Sequence, residues 1–159
     1  MTGAARWTAI VSLVLTAASH GTFFAFSTFV LPALGRLAPA DAVRTMQAIN
    51  LTVPGSMFLP TFLGAPLAMM TAAGFQRQAQ AHTASSQPLL CLVLAIVVYL
   101  LGVVAVTGLG NVPLNERLAV EAVSEAGWVS YSSAWSLLNH FRTLASGIAV
   151  AALAMALRG

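Results

Sequence analysis

An all-α integral membrane protein is the architecture expected from this chain: a bundle of four transmembrane helices, with a short amphipathic helix before the second span. Three observations lead there. The first is composition. Of 159 residues, 58% are hydrophobic and only 7% charged, and the mean hydropathy is +0.86. A soluble domain carries about 25% charged residues, so this chain has too few polar groups to cover a water-facing surface. The second is the length of its apolar runs. Four of them, 7–34, 50–73, 88–109 and 135–157, match the ~20 residues a helix needs to cross a bilayer. The third is backbone chemistry. Peptide groups in lipid must be paired within their own segment, so each run is expected to be a helix.

The elements follow in chain order. The first run begins after Arg6 and passes through "TAAS", which resembles the end of a signal peptide. It then continues through "FFAFSTFVLPAL", too long for a signal core, so an uncleaved span is expected. The segment "GRLAPADAVRTMQAIN" has Pro39 and Asp41 at a helix start, with Val43, Met46 and Ile49 at helical spacing. It predicts the amphipathic helix. Pro54, Pro60 and Pro66 punctuate the second run and predict a bend, because proline removes a helical hydrogen bond. "FQRQAQAHTASSQ" reads as a polar loop holding a solvated His82. The third run is expected to end at "GNVPLN", since proline commonly follows a helix end. Asn115 is then placed to cap a short helix, "ERLAVEAV". No repeat and no separate soluble segment stand out, so residues 1–159 read as one transmembrane domain.

Charge narrows the partners. The net charge of +3 comes from scattered arginines without a lysine; such charges suit membrane interfaces, and nucleic acid is not an expected partner. Arg6, Arg77 and Arg158 fall on one side, and Arg36, Arg44 and Arg117 on the other, with Arg142 close by. These counts do not separate the sides. The expectation is a multi-pass protein of the cell membrane with both termini in the cytoplasm. Cys91 is the single cysteine and lies in an apolar run, so packing is its expected role.

The informative residues are polar groups inside the oil. His20 sits mid-way along the first run, with Ser27 on roughly the same face and Phe23 and Phe24 one turn away. A buried histidine bonded to a neighbouring helix and a ligand, relay or substrate contact are both open readings. The fourth run opens "WSLLNHFRTLASG". Trp135, Asn139, Arg142 and Ser146 share one stripe, and His140, Thr143 and Gly147 the next. Leu137, Phe141, Leu144 and Ile148 form an apolar stripe opposite, suited to lipid. An arginine in the membrane centre costs about 2.5–3.5 kcal/mol on insertion scales. Snorkelling would relieve Arg142 but not Asn139 and His140 beside it. A polar network that glues helices together is the competing reading. The order of spans brings Gln47, Asn50, Asn111, Asn115, Asn139, His140 and Arg142 to one end of the bundle. That convergence predicts a polar pocket opening at that end, with His20 deeper along its wall.

At these residues the chain resembles a known family. "FSTFVLPAL", "MQAIN", "GNVPLN" and "W…NHFRT", in that order, are similar to motifs of the anthrone oxygenase-like family of small membrane proteins. The resemblance extends over residues 20–147. It implies a four-helix membrane protein. Some fungal members act in polyketide pathways, where they oxidise an anthrone to an anthraquinone with molecular oxygen.

The chemistry can be argued from the residues. Proton removal from the central methylene of an anthrone gives an electron-rich anion that reacts with O2. The reaction needs a base, donors for the oxyanion and a dry pocket. His20 or His140 is the expected base. Arg142, Asn111 and Asn139 are the expected oxyanion donors, and Trp135 a stacking surface for a flat ring. Asn50, Asn115, Ser27 and Gln47 complete the expected substrate contacts. This scheme needs no metal, and a cofactor-free reaction is the preferred expectation. A metal ion or haem iron held by His20 and His140 is the alternative. The competing class is a non-enzymatic carrier or binding protein for a hydrophobic small molecule, and a structural partner subunit is a third. The sequence leaves a homo-oligomer open.

Overall fold

The computed structural model describes residues 1, 3–79, 85–121 and 124–159; His82 and the centre of its expected loop lie outside them. The described residues form helices and turns, without a strand. They are α1 (Gly3–Leu34), α2 (Pro39–Thr52), α3 (Phe58–Ala79), α4 (Gln87–Val120) and α5 (Glu125–Ala156). All but α2 are long and apolar enough to cross a membrane.

The helices pack because their seams are narrow. Over Gly3–Ala25 of α1 the buried residues are Ala5, Ala9, Ser12, Thr16, Ser19 and Phe23, alternating steps of four and three. Small side chains on such a seam let backbones approach closely, which drives association where lipid offers no hydrophobic gain. Ser12 and Thr16 spend their hydroxyls on carbonyls four residues back, Thr8 and Ser12, at 2.7 and 2.6 Å. The facing seam of α3 is Phe62, Ala65, Met69, Ala72 and Gln76. Helix α1 packs on α3 and α5, and α4 on α3 and α5, which closes a four-helix ring. Helix α5 runs antiparallel to both α1 and α4. Arg6 reaches Leu157 O, while Ser27 meets Thr143; Gln87 reaches Met155 O, while Arg142 meets Thr107. A side chain on Gly102 would bring its Cβ to 2.5 Å from Ala145 Cβ, so α4 approaches α5 there as only glycine permits.

Several expected boundaries move. The third span does not stop at "GNVPLN". Helix α4 runs through Asn111 and Pro113 to Val120, so the expected loop and the separate short helix are its last turns. The reason is a change of pitch. Residues Thr107–Asn111 form a π-helical turn immediately before Pro113, and Phe26–Val30 of α1 do the same before Pro32. A proline ring clashes with the carbonyl four residues back, and a widened turn makes room without ending the helix. Asn50 belongs to α2, and α3 begins only at Phe58, after a tight turn at Val53–Gly55. Pro54 lies in that turn and Pro60 in the first turn of α3, leaving Pro66 as the interior proline. Helix α3 continues through Ala79, into the expected polar loop. Helix α5 starts at Glu125, where Ser124 Oγ accepts from Gly127 N at 3.0 Å.

Two apolar cores result. The larger runs along the four-helix ring through Phe23, Phe62, Met69, Leu92, Tyr99 and Leu153. The smaller joins Leu31, Val43, Met46, Leu118, Trp128 and Trp135 where α2 covers one end of the ring. Gln47 Nε2 ties α2 to α4 by donating to Leu118 O at 2.8 Å. The predicted lipid stripe of α5 is exposed, Leu137, Phe141, Leu144 and Ile148 at 42–64%.

Candidate functional site

Between the two cores lies a cavity of about 730 Å³, to which all five helices contribute side chains. Phe23 and Phe26 come from α1, Phe58 and Phe62 from α3, and Gln47 and Asn50 from α2. Helix α4 adds Thr107, Asn111, Asn115 and Glu116, and α5 adds Trp135, Asn139 and Arg142. Its size falls within the ~300–1,000 Å³ of small-molecule sites. Its wall is mostly apolar and aromatic, with amides and one guanidinium set into it.

Arg142 is the centre of this arrangement. It is 5% exposed. One terminal nitrogen donates to Thr107 Oγ1 at 3.2 Å and the other to Asn139 Oδ1 at 2.7 Å. The guanidinium lies 4.6 Å from the ring centre of Phe23 and 5.0 Å from that of Trp135. Cation–π contacts reach about 2 kcal/mol when desolvated, less than the several kcal/mol it costs to bury a charge. Among the described residues the one ion pair is Arg44 with Asp41, at 3.3 Å on the surface. Arg142 therefore presents an uncompensated positive charge to a low-dielectric cavity, a place where a negative charge is stabilised.

The amides are held from behind. Asn139 Nδ2 donates to Phe23 O and to Ser27 Oγ, both at 2.8 Å, so its Oδ1 is fixed toward Arg142. Asn111 Nδ2 donates to Trp135 O at 3.4 Å. Asn111 Oδ1, Asn50 Nδ2 and Arg142 Nε are buried without a protein partner. Three orphaned polar atoms on residues lining one cavity are what a bound polar group would satisfy. Asn115 corrects the expectation of a helix cap. Its Oδ1 accepts from Tyr131 Oη at 2.9 Å and Trp135 Nε1 at 3.0 Å. It anchors the indole, whose ring centre lies 5.3 Å from that of Phe26.

The sequence-derived set divides cleanly. Gln47, Asn50, Asn111, Asn115, Trp135, Asn139 and Arg142 line the cavity. His20, Ser27 and His140 do not. Ser27 stands behind Asn139. His140 is exposed, with Nδ1 3.0 Å from Ser27 Oγ. His20 packs beside Gly147, with Nδ1 3.0 Å from Ser146 Oγ. The expectation of His20 along the pocket wall fails because its face of α1 turns to α5. His20 and Ser27, the contact of His140, lie about 10 Å apart along α1 at 1.5 Å per residue. In this arrangement one metal ion or haem iron cannot take both imidazoles. No group of three or more His, Cys, Asp or Glu that could hold a metal occurs among the described residues. Thr107, Phe62 and Glu116 escaped the sequence reading. Thr107, Asn111 and Asn115 are spaced by four, a signal hidden by ending the helix at Pro113.

Comparison with family models settles the lineage. Residues 54–152 match the model of the anthrone oxygenase family. The chain belongs to the anthrone oxygenase family. The anthrone oxygenase match spans the lining residues of α3, α4 and α5, including Asn111, Asn115, Trp135, Asn139 and Arg142. Gln47 and Asn50 of α2 precede it. No curated protein and no solved structure matches the chain.

Proposed function

We propose that this protein is a membrane-embedded oxygenase that oxidises a hydrophobic, anthrone-type polycyclic substrate with O2 in the cavity around Arg142. One observation carries the reading: a buried guanidinium, without a carboxylate partner among the described residues, set between two aromatic rings in a mostly apolar cavity. Membership of the anthrone oxygenase family supports it. A flat aromatic ketone suits the other aromatic side chains of the lining, Phe26, Phe58 and Phe62. Loss of a proton from its methylene moves negative charge onto the carbonyl oxygen, where Arg142, whose Nε lacks a partner, and the second N–H of the Asn111 amide stabilise it; Asn139, with both amide hydrogens committed, holds Arg142 in place. Preorganised donors in a dry site act on the charge that develops, which is where electrostatic catalysis is largest. The anion then reacts with O2. One oxygen atom ends in the new carbonyl and the other in water, which makes the protein a monooxygenase of polyketide-type substrates. Gln47, Asn50, Asn115 and Trp135 hold the substrate, and Ser27 fixes Asn139. His20 and His140, outside the cavity, are not assigned as the base. The protein is placed in the cell membrane with both termini cytoplasmic.

The apolar wall would equally suit a carrier for a hydrophobic small molecule. Turnover separates the two. Detergent-purified protein, given anthrone and ¹⁸O2, is expected to form anthraquinone faster than a heat-unfolded control and to place one labelled atom in it. Saturable binding of anthrone without turnover above the control would favour the carrier.

A further inference from the structure

We propose that Glu116 is the general base that takes the methylene proton; this rests on the oxygenase reading above. The cavity-facing strip of α4 is Asn111, Val112, Asn115, Glu116 and Ala119. Glu116 and Arg142 are the two ionisable residues among the lining side chains. They sit at opposite depths, Arg142 buried and Glu116 exposed at the mouth. The other acids are placed elsewhere. Asp41 pairs with Arg44 on the outer face of α2, and Glu121 and Glu125 lie outside the lining. Both described histidines face away, as shown above. Among the described residues the Glu116 carboxylate takes part in no ion pair.

The spacing suits one ring. Thr107 holds the guanidinium of Arg142, and Glu116 lines the cavity about two turns further along α4. The ketone oxygen then meets Arg142, and the methylene on the opposite edge of the ring meets Glu116.

The steps balance. The Glu116 carboxylate takes one methylene proton, and the electron pair moves onto the ketone oxygen as an enolate facing Arg142. The enolate carbon bonds to O2, which gives a peroxide anion. The Glu116 carboxylic acid returns its proton to the distal oxygen and forms a hydroperoxide. Glu116 then removes the second proton from that carbon. The new C=O forms as the O–O bond breaks, and the departing hydroxide collects the proton as water. Glu116 ends as the carboxylate. O2 is the oxidant, and the methylene carbon is oxidised by four electrons.

The test uses detergent-purified full-length protein with anthrone as substrate and anthraquinone as a binding probe. Glu116→Gln is expected to lower kcat at least about a hundredfold, the usual contribution of a positioned base. Its affinity for anthraquinone and its thermal melt should stay near wild type. In Glu116→Ala, added formate should restore part of the rate, as a small base does in the space a carboxylate has left. Turnover of Glu116→Gln close to wild type would overturn the assignment while leaving the oxygenase reading intact. Loss of anthraquinone binding together with no formate rescue would overturn it too, because Glu116 would then only shape the site. A wild-type protein without turnover above the unfolded control would remove both.

Discussion

Arg142 concentrates the physics of the site into one side chain. Its two terminal nitrogens point in different directions, to Thr107 and to Asn139, while its plane lies between Phe23 and Trp135. A lysine carries the same charge and snorkels as well, but it has no planar fork and stacks poorly. Arg142→Lys should therefore fold and insert normally. It forfeits at least one hydrogen bond of a charged group, about 1.5–3 kcal/mol. That is a loss of about one to two powers of ten in affinity or turnover. Anthraquinone binding and turnover of the variant measure it, and normal values for both would reduce Arg142 to an anchor at the membrane interface. Asn115 lines the cavity and steadies its neighbours as well. By accepting from both Tyr131 and Trp135 with a single oxygen, it sets the indole against which Arg142 rests.

Individual helices owe their shape to how they treat proline. In α1 and α4 a π-helical turn precedes the proline and the helix continues. Those turns carry Phe26, Thr107 and Asn111, so the irregular pitch aims lining residues at the cavity. In α3 the answer is different. Pro66 has no N–H to give to Phe62 O, and Tyr99 of α4 donates to it instead, at 3.1 Å. Tyr99→Phe leaves that carbonyl orphaned. The expected loss is about 1 kcal/mol, between the ~0.6 averaged for polar bonds in membrane helices and the ~1–3 of an unsatisfied buried acceptor. Adding Pro66→Ala should return most of it, because the alanine N–H reaches Phe62 O within the helix. A denaturation cycle over the four proteins gives the coupling. Additive losses would mean that the tyrosine hydroxyl does not replace the missing helical donor.

At the scale of the molecule, four spans and two cores place the cavity at one end of the ring. The ends of α1 and α5 meet at the other end, where Arg6 reaches Leu157 O. An even number of spans puts both termini, and the link between α3 and α4, on one side of the membrane. Helix α2 and the link between α4 and α5 then lie on the opposite side, with the cavity. With Cys91 replaced by alanine, Gly3→Cys and Ser85→Cys should react with an impermeant maleimide from the same side. Glu121→Cys should react from the other. All three reacting from one side would break the four-span topology.

Much of this was legible without coordinates. Composition and run length require helices in lipid, because unpaired peptide groups there are too costly. Periodicity on the fourth span separated the Trp135–Asn139–Arg142–Ser146 stripe from the lipid stripe, since both lie within one helix and depend only on its pitch. Span order brought Gln47, Asn50, Asn111 and Asn115 to the same end. Pairings between helices were not legible. Whether Asn115 caps a helix or holds Trp135 depends on whether the chain stops at Pro113, and a π-helical turn, a cooperative response to neighbouring packing, lets it continue. The fate of His20 turned on the rotation of α1 about its axis. Small residues on the facing seams of α1 and α3 fix that rotation, and it sends the imidazole to Ser146 rather than into the cavity. Glu116 reads in isolation as an ordinary interfacial acid; its place beside the cavity exists only once α2, α4 and α5 are packed together.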